Sequence, residues 1–509
     1  MTGLRHIFRV ALFCIGFWPV SAICQTDSLD GEAWLKRSET EYKEEAYKQA
    51  LHSVDEAIRI FRQKDSLDRW FYSQRHKALV LRHLHGQPFI ALSYIDSCLS
   101  VFPHWRLPAT REEHLRYCRF LLMQAYIAKQ FAEDHVLAKN ALEKAYQIFI
   151  QELENDTETA KYMFFQLGNA YVRLGEFESA KHVFQAGYAY SKKYNIPDIA
   201  KYTDYASLYL QLGEYDEVKR IYLEGLSNKE LSEEDRLFTK LGYVEYLVKV
   251  ADLEGATRIN REIEAQLNDQ LDASLLDKLP EFQQSLLEND AQIFAAKGEC
   301  EPALNVYQKS VETEKEYKLG SRRDIAFMYN EIGEIALSCN QIDQALQAFQ
   351  NALKTMIPGF DAPVEQNPDP SGFTAENTIY KALYGKAQCF EQTGRPDLAL
   401  ECYELIPLVE AKLRATHEYE SSTLQALEDS RTRLDKAVGL AWQLYETTRD
   451  ERLAERAFNL TEQIRGVILL ESLAKDRNDR QLPDSIQLRL TNMQSRIASF
   501  ERVVAEGKL

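Results

Sequence analysis

Few side chains in this sequence stand at spacings that chemistry would use. His83 and His85 are two residues apart, which on a helix turns them about 200° from each other, and no neighbouring cysteine completes a metal set. His114 and Cys118, four apart, share one helix face as a base and a nucleophile would. No third residue to orient the base and no oxyanion turn accompany them. Gly385-Lys386-Ala387 lacks the earlier glycine and the following hydroxyl of a phosphate loop, and reads as helix interior. The 78 acidic residues are interleaved with 61 lysines and arginines, the pattern of solvated helix faces. No catalytic residues, metal ligands or cofactor motif are expected, so the chemistry to look for is recognition.

The elements that would position such a surface are legible as a repeat. Small residues recur at Ala50, Ala91, Ala138, Ala180, Val218, Ala256, Ala303, Ala345 and Ala399, at intervals between 38 and 54 residues. Each has larger apolar companions at helical spacing, such as Phe177 and Phe184 around Ala180 or Phe349 and Ala352 around Ala345. A small residue on such a stripe lets two helix backbones approach while an aromatic fills the gap beside it. Gly86, Gly175, Gly213, Gly298 and Gly394 lie five residues before an anchor, where the chain must leave one helix and turn into the next. Each unit is thus a helix pair that buries its apolar face only by stacking on its neighbours. The expected fold is all-α, a right-handed α-solenoid of about nine such hairpins over residues 25–407, followed by a connector of long helices over 408–509.

A hydrophobic share of 45% with only 14 prolines predicts that nearly all of the chain folds, and a formal charge of −17 disfavours a nucleic-acid partner. Residues 1–24 differ: Arg5, His6 and Arg9 precede an apolar run from Val10 to Val20 and then Ser21-Ala22-Ile23-Cys24, the three parts of a secretory signal. Its apolar core is too short to span a bilayer, so cleavage and export to a periplasmic or outer-membrane location are expected. Acylation at Cys24 is the disfavoured alternative, because Ile23 is bulky where such sites take a small residue. Cys98, Cys118, Cys300, Cys339, Cys389 and Cys402 contain no CxxC pair and are expected to pack as small apolar residues, with no bridge. The proline-rich stretch 358–372 should form an ordered surface loop on one rim. After it, Leu453, Ala457, Leu460, Ile464 and Val467, and then Ile486, Leu490, Met493, Ile497, Phe500 and Val504, alternate at three and four. Two seams of this kind pair most simply as a hairpin.

The block Leu167-Gly168-Asn169-Ala170-Tyr171 through Leu174-Gly175-Glu176-Phe177 to Ala180 and Phe184 resembles the tetratricopeptide signature. In that family the first helix of each unit lines a concave groove. The resemblance therefore nominates Tyr162, Phe165, Asn169, Val172, Arg173, Thr203, Ser207, Leu210 and Gln211 as partner-binding residues. Asn169 with Arg173 resembles half of a peptide-carboxylate clamp, but Phe165 stands where a clamp lysine belongs and Asp204 where an asparagine does. A groove making aromatic and amide contacts to a peptide segment is the remaining expectation. Leu444-Tyr445-Glu446 and Ala457 through Leu473 are similar to the segment that joins tetratricopeptide arrays to caspase-like CHAT domains, with Arg465 where that family has lysine. The histidine and cysteine strands of such a domain do not follow before Leu509. The resemblance implies an exported, non-enzymatic scaffold that binds a polypeptide and couples to a downstream CHAT effector. Its alternatives are that the full gene product is a caspase-like peptidase, or that the chain is an outer-membrane glycan-binding lipoprotein.

Overall fold

The computed structural model describes residues 30–465, apart from 86–87, 101–109, 133, 197–201, 270–272, 318, 320, 416–419 and 464. The signal-like residues 1–24 and the seam from Ile486 to Val504 lie outside the described residues, as do Ile464 and Val467. The described residues contain helices and no strand. The chain divides into two compact units, residues 1–86 and 87–509. The first holds α1 (Gly31–Lys43), α2 (Tyr47–Gln63) and α3 (Leu67–His85). The second holds α4 (Pro88–Ser100), α5 (Arg111–Ile127), α6 (His135–Ile148), α7 (Thr157–Arg173), α8 (Phe177–Lys193), α9 (Asp204–Gln211), α10 (Tyr215–Ser227), α11 (Glu233–Lys249), α12 (Leu253–Asp269), α13 (Leu279–Ala296), α14 (Cys300–Tyr317), α15 (Arg322–Ser338), α16 (Ile342–Met356), α17 (Asn377–Gln392), α18 (Pro396–Arg414) and α19 (Glu420–Thr448). Within the units, consecutive helices pack as hairpins, α1 on α2 and α5 on α6 through α17 on α18. The last array helix runs through Pro407 to Arg414, past the expected limit at 407, because the helix accommodates that proline in its interior.

Each of the nine anchor residues is the fourth residue of a second helix, and all are buried. Among the described residues, the turn before seven of the anchors is equally regular. Gly175 (φ 78°), Gly213, Gly298 and Gly394 adopt the left-handed conformation, and Glu45, Ala251 and Asn340 adopt it at the same distance from their anchors. In each case the chain closes a Schellman turn: the N–H of Gly175 donates to the Val172 carbonyl and that of Glu176 to Tyr171 at 2.8 Å. Several first helices start on capping side chains. Thr110 and Glu113 form a capping box, and Asp156 and Ser232 accept from N–H groups three residues on.

Aromatic rings fill the gaps that glycines leave between helices. Phe349 of α16 lies between Gly333 of α15 and Gly385 of α17, and Phe184 of α8 covers Gly168 of α7. The 358–372 segment is tied down by a buried lysine. Lys386 Nζ donates to Gln350 Oε1 at 2.7 Å, to the Gln366 carbonyl and to Asn367 Oδ1. Burial pulls this amine down to about 8.

One expectation is corrected. Cys300 and Cys339 are joined in a disulfide, their Cα atoms 5.9 Å apart. The two residues occupy the turns of consecutive hairpins, the first residue of α14 and the C-cap of α15, rather than the interior positions assigned to them. Stacking brings equivalent turns side by side, and that proximity has no signature in sequence spacing.

Candidate functional site

The second unit closes on itself. Arg173, at the end of α7, reaches Asp324 at the start of α15 (3.8 Å), and His135 at the start of α6 reaches Glu376 before α17 (3.8 Å). Leu174 and Val136 join the apolar core built by α13 to α19. Asp324 also caps α15, accepting the Ser321 N–H at 2.8 Å, so one carboxylate both starts the helix and receives the cation. Arg323 beside it donates to Glu376 Oε1 and Asn377 Oδ1, both at 2.9 Å. Burial, then repulsion from Arg323, lowers the Arg173 guanidinium. Burial works against the Asp324 carboxylate, yet Arg173 and the Ser321 N–H hold it below its usual range. Lys129 donates to Gln166 Oε1 at 2.8 Å and is pulled down to about 8, by burial first and Arg173 next.

A second set of polar groups comes from three consecutive first helices. Glu245 of α11, Glu288 of α13 and Glu331 of α15 are half-buried, and Glu245 repels the other two. Glu288 accepts from Gln284 Nε2 at 3.2 Å and from Ser310 Oγ at 3.3 Å. Burial pushes Glu288 up to about 7, with Glu245 and Glu314 adding to the rise. Glu331 is pushed up to about 7 by burial and by Glu334, against Lys381 and Lys249. Burial raises Glu245 as well. Asp324 and Glu331 are two helical turns apart on α15, about 10.5 Å along its axis, so the ionic closure and the acidic face adjoin.

These shifts set a pH dependence. Between the ordinary carboxylate range and pH 7, Glu288 and Glu331 bind more protons folded than unfolded, so their contribution to stability falls as pH rises. The melting temperature is expected to rise as pH falls from 7.5 to 5.5, and the Glu288→Gln/Glu331→Gln variant to flatten that slope. Melts at three pH values with equal slopes for both proteins would contradict the assignment.

Of the groove residues expected from sequence, the structure brings Arg173 into the closure and pairs Asn169 with the start of α9. Asn169 Nδ2 donates to Asp204 Oδ2 at 2.7 Å. Tyr162 and Gln211 are exposed, and Val172, Thr203 and Ser207 half-buried. Phe165 and Leu210 are corrections. Phe165, 2% exposed, stacks on Phe184, and Leu210 is also buried, so both are core. Sequence reasoning missed Lys129, Asp324, Glu245, Glu288 and Glu331. A partial signal existed: Asn169 and Ser207 lie eleven residues before their anchors, and so do Glu245 and Glu334.

Cys118 and His83 are accounted for by packing. Cys118 is buried, its thiol directed at the Ala145 carbonyl (3.7 Å) and pushed up to about 12. His83 stacks on Tyr47 and is lowered to about 4 by burial. Among the described residues, no group of three or more His, Cys, Asp or Glu is placed to hold a metal, and no helix is long and apolar enough to cross a membrane.

Residues 162–194 match the tetratricopeptide repeat family. No curated protein matches the sequence. Among solved structures, a signal-transduction ATPase with a tetratricopeptide repeat sensor from Pyrococcus horikoshii is 14% identical with a TM-score of 0.39. The match covers 77% of this chain and 53% of that one, so this chain spans about half its length. A tetratricopeptide repeat protein from Parabacteroides merdae is 11% identical (TM-score 0.34, 62% of this chain and 98% of that one). A Rap protein complexed with competence and sporulation factor is 13% identical (TM-score 0.40, 85% and 98%).

Proposed function

We propose that this tetratricopeptide-repeat protein is a non-enzymatic scaffold that holds a polypeptide partner along the inner face of its first helices. The observation that carries the reading is the placement of Glu245, Glu288 and Glu331. Three consecutive first helices each present a half-buried carboxylate to the same face, next to the amides and cations of the closure. Such a face offers acceptors to backbone N–H groups and to basic side chains of an extended or helical segment. A displayed peptide library selected on the full chain is expected to yield binders that lose at least about tenfold in affinity, 1.4 kcal/mol, on the Glu245→Gln/Glu288→Gln/Glu331→Gln variant. Binders indifferent to the triple substitution would sink the reading.

The role of adaptor to a CHAT effector rests on the resemblance of 444–473, and one structural observation favours it. After Thr448 the chain turns into a helical segment over 451–463 whose Leu453, Ala457 and Leu460 are buried. Arg456 pairs with Glu404 of α18 (2.7 Å). The described part of the CHAT-like segment is thereby fastened to the array, as a transmitting element must be. Reading the coding sequence past Leu509 for histidine and cysteine strands tests this and the peptidase alternative together. Export is proposed from residues 1–24, and the Cys300–Cys339 bridge supports it, since such bonds persist in oxidising compartments.

A further inference from the structure

The six cysteines in the described residues fall into two chemical groups. Cys98, Cys118, Cys389 and Cys402 are buried thiols. Burial pushes Cys118 and Cys389 up to about 12 and Cys402 up to about 11, far from the thiolate form that takes part in exchange. Cys300 and Cys339 are half-exposed at the turns of adjacent hairpins and already joined. The bond therefore lies where a small thiol can reach it, while the remaining thiols are poor candidates to reshuffle it.

Its position matters more than its presence. Cys300 immediately follows the turn that ends α13, and Cys339 caps the end of α15. The bridge thus fixes the spacing of the two hairpins whose first helices carry Glu288 and Glu331, and α15 also carries Asp324 of the closure. Elsewhere among the described residues neighbouring repeats are held by side-chain packing, hydrogen bonds and ion pairs, so a covalent tie at one step acts locally.

We propose that Cys300–Cys339 is a redox-sensitive lock on the pitch between the α13–α14 and α15–α16 hairpins, holding the acidic face in register with the closure. Closing it takes two electrons and two protons from the thiol pair and gives them to a disulfide oxidant, small-molecule or protein, through thiol–disulfide exchange. A dithiol reverses the reaction and is itself oxidised. The proposal is independent of what the inner face binds.

The test is hydrogen exchange on the full chain, oxidised with glutathione disulfide or reduced with dithiothreitol, alongside Cys300→Ala/Cys339→Ala without and with the reductant. Reduction is expected to speed exchange on the order of tenfold around 294–303 and 335–341, with a smaller increase at 321–324, and to leave α7 to α10 unchanged. The double variant should match reduced wild type and ignore dithiothreitol. Equal exchange in oxidised and reduced wild type would overturn the lock. So would peptide mapping that finds both cysteines open to alkylation after oxidation, or a uniform rise across the whole unit on reduction.

Discussion

Replacing Phe349 by alanine is expected to cost about 3–5 kcal/mol, among the largest losses available to a single side chain here. Its ring is 1% exposed and fills the gap between α15 and α17 that Gly333 and Gly385 create. A Cβ on Gly333 would come 2.5 Å from the ring, and one on Gly385 2.2 Å from it, so neither glycine can grow while the phenylalanine stays. Truncating the ring leaves a cavity lined by the backbones of α15 and α17 at Gly333 and Gly385, where no side chain is present to fill it. The converse change, Gly385→Ala alone, should destabilise by overpacking, about 1–3 kcal/mol. Combined with Phe349→Leu it should cost less than the two changes summed, because the new methyl occupies the space vacated by the smaller side chain. Denaturant unfolding of the full chain, with hydrogen exchange across α15 to α17 to localise the loss, measures both effects. A Phe349→Ala loss below about 1 kcal/mol would show that the ring is not what holds these three helices together.

The same three helices show where sequence reading works and where it stops. Ala345 and the Phe349 stripe follow from chemistry within one hairpin: a small residue for close approach and an aromatic to fill a gap. The left-handed turn at Asn340 does not, because an asparagine stands there where the other expected turns have glycine. What the stripe does not disclose is its azimuth against the neighbouring helices. Phe165 shares a first helix with Asn169 and Arg173, which points it to the groove, yet it lies about 80° around the axis from Arg173 and turns into the core. The exposed Gln166, one residue on, contacts Lys129 instead. The closure is still less legible. Arg173 and Asp324 meet only because the stacked hairpins curve until one end of α7 faces the start of α15, and that curvature is a sum of small rotations between repeats. The Cys300–Cys339 bridge and the clustering of Glu245, Glu288 and Glu331 are hidden for the same reason: each joins residues that are neighbours between repeats rather than within one.

A contact between repeats also underlies the second large effect, expected at Lys139. This lysine of α6 and Glu176, the N-cap of α8, are both fully buried, with Nζ 3.0 Å from Oε1. They link the α5–α6 hairpin to the turn of the next one. Glu143 stands 3.9 Å away and accepts a hydrogen bond from the Tyr171 hydroxyl at 2.7 Å, so its charge is already engaged. Lys139→Met keeps the side-chain volume but leaves the Glu176 carboxylate inside without its cation, a change that costs about 3–5 kcal/mol. Lys139→Met/Glu176→Leu removes both charges and should recover most of that loss, since desolvating two ions offsets much of what their attraction returns. The comparison of single and double variants is decisive because apolar packing alone predicts the opposite order, with two core substitutions worse than one. If the double variant is the less stable of the two, the pair contributes through shape rather than charge. If the single variant is recovered, it is the stranded carboxylate that the lysine exists to neutralise, and the ion pair serves to hold one repeat's turn in register with the helix before it.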